Sequence, residues 1–118
     1  MICPTESQEQ ITVIDFIKFQ YPELLPFTIH IKNERKTSLY MGSLNKRLGV
    51  LKGTPDLFIA WPTDQYHGLF IEMKSRKGRP TPEQKEFIER VNGKGYYAII
   101  AYGADQAIDT IRKYLSVK

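Results

Sequence analysis

One cysteine, Cys3, among 118 residues cannot close an intrachain disulfide or build a thiolate metal cluster, which excludes disulfide-stapled scaffolds and cysteine-based zinc sites. The two histidines, His30 and His67, lack the neighbours of a histidine zinc site or a nucleophile relay, and each reads as a local hydrogen-bonding residue. No run approaches the roughly 20 apolar residues of a membrane helix, and the N-terminus carries no signal-peptide pattern. The expectation is an intracellular, cytoplasmic protein that is neither secreted nor membrane-embedded. No glycine-rich phosphate cradle stands at a helix start, which argues against an enzyme of small phosphorylated metabolites. Repeats, low-complexity tracts and linkers are missing too. What remains, 118 residues with 42% hydrophobic content, suffices for one core and points to a single domain over 1–118.

The net charge of +4 is unevenly placed. Between positions 27 and 53, Lys32, Arg35, Lys36, Lys46, Arg47 and Lys52 face Glu34 alone, whereas the first 26 residues are net acidic and the remainder nearly balanced. A concentrated positive segment suits a polyanion, and a solvated face is the plain alternative.

The coarse pattern alternates helix and strand. Thr5 caps an amphipathic helix running to Gln20, with Ile11, Val13, Ile14 and Ile17 as its apolar stripe and Pro22 as its stop. A short strand is expected over Phe27 to Ile31, and a partly helical stretch over Arg35 to Leu48, limited by Gly42 and Gly49. Leu57 to Trp61 and Leu69 to Met73 are apolar runs separated by the turn-forming Pro62 to Gly68, an antiparallel hairpin. Thr81-Pro82-Glu83-Gln84 combines a cap, a proline at the first helical position and a glutamine at the third, opening a helix to Val91 that Asn92-Gly93 ends. Tyr96 to Tyr102 reads as a strand covered on both faces, and Ala104 to Leu115 as a closing helix.

The hairpin carries the chemistry. Side chains alternate along a strand, so Phe70, Glu72 and Lys74 share one face. With the turn centred near Asp64 and Gln65, partners have numbers summing to about 129, which sets Asp56, after Gly53-Thr54-Pro55, opposite the Glu72 to Lys74 stretch. Two carboxylates so close repel each other unless a cation lies between them, and hard oxygen donors suit Mg²⁺ or Mn²⁺. Such an ion beside a lysine is equipped for phosphodiester hydrolysis. On the first helix Glu6 and Gln10 lie four apart on one face, an acid beside a supporting amide, while Glu9 is the competing acid and helix phase decides between them.

Pro55-Asp56, sixteen positions before Glu72-Met73-Lys74, resembles the PD-(D/E)XK nuclease signature. Glu6 and Gln10, Gly53-Thr54-Pro55-Asp56-Leu57, Gly68 to Lys74, Thr81-Pro82-Glu83-Gln84 and Gly95-Tyr96 together resemble the VRR-NUC branch of that superfamily over nearly the whole chain. The resemblance implies an α/β fold with a restriction-endonuclease-like core, a mixed central sheet flanked by helices. It also implies an Mg²⁺- or Mn²⁺-dependent endonuclease acting on structured DNA, as in stand-alone viral or bacterial members associated with homodimers that resolve four-way Holliday junctions. By the family pattern Asp56 and Glu72 would be metal ligands with the backbone carbonyl of Met73, Lys74 the catalytic lysine, and Glu6 the helix-borne acid, with Glu9 as the second choice. Gln84 would be a supporting residue as well as a cap. Lys32 to Lys52 would grip phosphates, joined by Arg76, Lys77 and Arg79 beyond the catalytic strand. The alternative is a non-catalytic nucleic-acid-binding module of the same fold.

Overall fold

The computed structural model describes residues 4–31 and 39–116. Thr5 opens helix α1, Glu6–Gln20, through a capping box in which its hydroxyl accepts from the Gln8 N–H and the Gln8 side chain accepts from the Thr5 N–H. Pro22 ends the helix and starts a 3-10 helix, Pro22–Phe27, which leads into strand β1, Thr28–His30. Helix α2, Leu39–Arg47, is the described part of the expected basic helical stretch. Lys32, Arg35 and Lys36 lie outside the described residues, as does Cys3.

Strands β2, Leu57–Ile59, and β3, Leu69–Lys74, form the expected antiparallel pair. Helix α3, Pro82–Asn92, begins at a second capping box, Thr81 with Gln84. Strand β4, Tyr97–Tyr102, and helix α4, Ala104–Ser116, complete the described elements. The sheet order is β1-β2-β3-β4, antiparallel at the first two pairings and parallel at the last. This is the mixed sheet that the resemblance implies. The parallel pair requires a crossover, and α3 supplies it.

The two faces of the sheet have different occupants. Leu57, Ile59, Leu69, Ile71 and Met73 are buried in one core with Val13 and Ile17 of α1 and Ala107, Ile111 and Tyr114 of α4. On the other face Phe58 and Phe70 stack with ring centroids 4.4 Å apart, and Phe87 of α3 meets Phe70 edge-on at 5.3 Å. Phe58 and Phe70 are partners in the register, so their side chains must emerge together.

The expected stripe on α1 needs one correction. Val13 and Ile17 are fully buried, but Ile11 is 60% exposed. The buried line runs through Glu9, Val13 and Ile17 at intervals of four, and Ile11, two residues off it, faces away. A buried carboxylate at Glu9 takes the position that apolar patterning assigned to Ile11.

Gly53 brings the chain into β2 against α3. Its φ of +90° favours glycine, and an added Cβ would lie 2.5 Å from the backbone carbon of Glu83. The close approach holds the Gly53-to-Asp56 segment beside the capped N-terminus of α3.

Candidate active site

Observed β2–β3 partners sum to 128, as in Leu57↔Ile71 and Ile59↔Leu69, one less than the turn geometry suggests. Continued by one residue, this register sets Asp56 directly opposite Glu72, with both side chains on the Phe58–Phe70 face. One more residue sets Pro55 opposite Met73. Proline has no N–H, so the ladder offers the Met73 carbonyl no donor there. The Met73 N–H turns instead to the Asp56 side chain, which accepts it at Oδ2, 2.8 Å away. One short strand thus aims the Asp56 carboxylate and leaves a carbonyl of β3 unsatisfied by its neighbour.

Helix phase separates the two candidate acids of α1. Glu9 is 6% exposed, and its Oε2 accepts the N–H of Ala104 at 2.6 Å, capping the first turn of α4. Glu6 faces the hairpin. One carboxylate oxygen from each of Glu6, Asp56 and Glu72 lies within 4.8 Å of the other two. Lys74 joins them, with Nζ 3.5 Å from Glu72 Oε2 and 3.9 Å from Glu6 Oε1. Gln10 lines the same cleft as this cluster, and its amide nitrogen lies 2.9 Å from His30 Nδ1.

Glu72 is 1% exposed, and among the described residues its Oε1 is the buried side-chain polar atom without a hydrogen-bond partner. Burial, the adjacent negative charge of Asp56 and the hydrogen bond that a protonated Glu72 can donate to the Asp56 carboxylate favour its protonated form, pushing its pKa up to about 8 against the opposing pull of Lys74. A buried oxygen with nothing to bond, inside a cluster of three carboxylates, fits a hard divalent cation.

The cluster opens into a cleft of about 1650 Å³ lined by Glu6, Gln10, His30, Asp56, Glu72 and Lys74, and by Lys46, Lys52 and Arg79 from the predicted basic set. Gln84 also lines it, while its Oε1 accepts the Thr81 N–H at 2.8 Å. Arg47 and Lys77 are not in the cleft lining. Neither is Arg76, whose guanidinium pairs with Asp105 at 3.3 Å and lies near Gly103. The apolar Ile11, Met41, Val50 and Leu51 complete part of the wall.

The model of the VRR-NUC domain family matches residues 5–105, a span holding every residue of this cluster. The chain belongs to the VRR-NUC family. A solved structure described as a VRR_NUC domain protein is 33% identical, with a TM-score of 0.86 over 99% of this chain and 93% of the other. No curated protein matches the sequence at a significant level. VRR-NUC is a nuclease-type domain, which implies nucleic acid as the substrate class, and the acidic cluster is a group of carboxylates able to hold a metal ion. Among the described residues no helix is long and apolar enough to cross a membrane.

His30 is the residue of this region that the sequence reading left without a role beyond local bonding. Its signal was weak because the contacts join helix, strand and loop segments 20 and 26 positions apart. No local pattern reports such a meeting.

Proposed function

We propose that this VRR-NUC chain is an Mg²⁺- or Mn²⁺-dependent endonuclease that hydrolyses DNA phosphodiester bonds, selective for branched structures such as four-way junctions. The observation that carries the reading is the buried, unpartnered Glu72 Oε1 among the carboxylates of Glu6 and Asp56, with Lys74 alongside. Asp56, Glu72 and Glu6 would hold the cation, with the Met73 carbonyl as a further oxygen donor. A divalent cation bound there supplies positive charge against the oxygens of a scissile phosphodiester and lowers the pKa of water.

The chain's own residues do the remaining work. Lys74 Nζ orients the attacking water toward phosphorus. The Met73 N–H holds the Asp56 carboxylate in one orientation, so less reorganisation accompanies substrate binding. Lys46, Lys52 and Arg79 on the cleft wall contact phosphates on either side of the cut. Gln10 and Gln84 support the site by fixing α1 and the start of α3. Hydrolysis forms a bond from water oxygen to phosphorus and breaks a phosphorus–oxygen ester bond, with a proton leaving the water and one reaching the departing alkoxide. As an intracellular homodimer, the enzyme presents two such sites to the symmetry-related strands of a junction.

The test is cleavage of labelled four-way junction, flap and linear duplex DNA in Mg²⁺, Mn²⁺ or EDTA, with Asp56→Ala in parallel. Cutting that needs the metal and is lost in the variant is expected, with paired incisions favouring the junction. Equal cutting of all three substrates removes the structural selectivity. Tight binding without cutting in any metal overturns the catalytic reading.

A further inference from the structure

His30 ends β1 and pairs with Leu57 in the sheet. Its Nδ1 lies 2.9 Å from the Gln10 side-chain amide and 3.1 Å from the backbone carbonyl oxygen of Asp56. That oxygen also accepts the Ile31 N–H at 2.7 Å. Asp56 is therefore gripped at its main chain by two consecutive residues of the β1 end, and at its side chain by Met73.

One tautomer makes both ring contacts hydrogen bonds. A carbonyl oxygen only accepts, so the ring must present N–H at Nδ1 to Asp56. A ring nitrogen that carries its hydrogen cannot accept an amide N–H, so in that tautomer the Gln10 amide, placed with its nitrogen at 2.9 Å, is turned over to present its carbonyl oxygen to the same N–H. His30 then donates to both partners at once.

These partners belong to different parts of the site. Gln10 lies one helical turn after Glu6 on the same face of α1. The rest of α1 is anchored elsewhere, through Val13 and Ile17 in the core and Glu9 at the N-terminus of α4. Those anchors fix the helix against α4 and β3, whereas the Gln10–His30 contact ties it to β1 and to the entrance of β2. Two of the three carboxylates in the cluster, Glu6 and Asp56, are thereby joined through one imidazole.

We propose that His30 is a positioning residue whose Nδ1–H, shared by Gln10 and the Asp56 carbonyl, sets the spacing of the Glu6 and Asp56 carboxylates. This rests on the cation site proposed above, so the test reads metal binding in the absence of DNA. Mn²⁺ is titrated into the full chain and followed by electron paramagnetic resonance, comparing native protein with Asp56→Ala, His30→Ala, His30→Asn and His30→Gln. An asparagine amide nitrogen can reach the place of Nδ1, whereas the longer glutamine places its nitrogen nearer that of Nε2.

Native binding lost in Asp56→Ala, weakened roughly 10-fold to 100-fold in His30→Ala and His30→Gln, and largely restored in His30→Asn is the expected result. His30→Ala binding within about twofold of native, while Asp56→Ala still abolishes it, overturns the positioning role and leaves the cation site standing. Equal weakening in all three His30 variants, asparagine included, overturns the role of Nδ1. A native protein that binds no Mn²⁺, or binds it as Asp56→Ala does, overturns both. Thermal melts of each variant show whether a loss of binding accompanies a loss of fold.

Discussion

Glu72 is buried beside Asp56, and this placement favours its proton whenever no cation lies between the two carboxylates. Unfolding would return it from a pKa of about 8 to the ordinary value of 4.5. The folded chain therefore binds this proton more tightly than the unfolded one. Its contribution to stability is fully present below pH 4.5 and is lost as pH rises through about 8. The melting temperature of EDTA-treated protein should fall across that window, and saturating Mg²⁺ or Mn²⁺ should flatten the fall by replacing the proton with a cation. A metal-independent profile would mean that Glu72 does not exchange its proton for an ion. Asp56, Glu72 and Lys74 were legible in the sequence as near neighbours, because alternation sets Glu72 and Lys74 on one face and the turn brings Asp56 opposite that stretch, but the turn centre did not fix the register that puts Asp56 on their face. His30 was not, because its partners are chosen by tertiary placement.

At the scale of elements, the hairpin, both capped helices and the closing strand and helix all follow from local patterns, since Thr5 and Thr81 each open a helix by the chemistry expected of them. The register differs by one from the expected sum of partners, and that residue decides the face: a sum of 129 would pair Asp56 with Met73 on the core side, whereas the observed 128 pairs it with Glu72. Helix α1 was less legible. Hydrophobicity alone cannot reveal that a carboxylate at Glu9 is buried to cap α4, nor that Ile11 is thereby turned outward to the cleft wall. This phase makes a direct prediction about stability. Ile17→Ala should cost about 2–5 kcal/mol in urea denaturation, as expected for a fully buried isoleucine. Ile11→Ser, at a position 60% exposed, should change stability by no more than about 0.5 kcal/mol. Similar large losses in both would contradict the observed phase and return Ile11 to the core.

Across the whole molecule, charge and shape converge on one cleft. Lys46, Lys52 and Arg79 line it together with the acidic cluster, and in the proposed reading an anionic strand attracted by the rim would meet the carboxylates. Of the other basic residues proposed to meet phosphates, Arg76 is engaged with Asp105 and Arg47 and Lys77 are not in the cleft lining, because neither net charge nor place along a sequence records direction. The division of labour between rim and centre gives the central claim its sharpest test. Single-turnover cleavage of DNA bound to saturation should be measured in Mg²⁺ and in EDTA, for the native chain and for Lys74→Ala. The account predicts that EDTA stops the reaction and that Lys74→Ala slows it by about 10²-fold or more while DNA affinity changes little. Undiminished cutting by Lys74→Ala, or cutting that persists in EDTA, would contradict it.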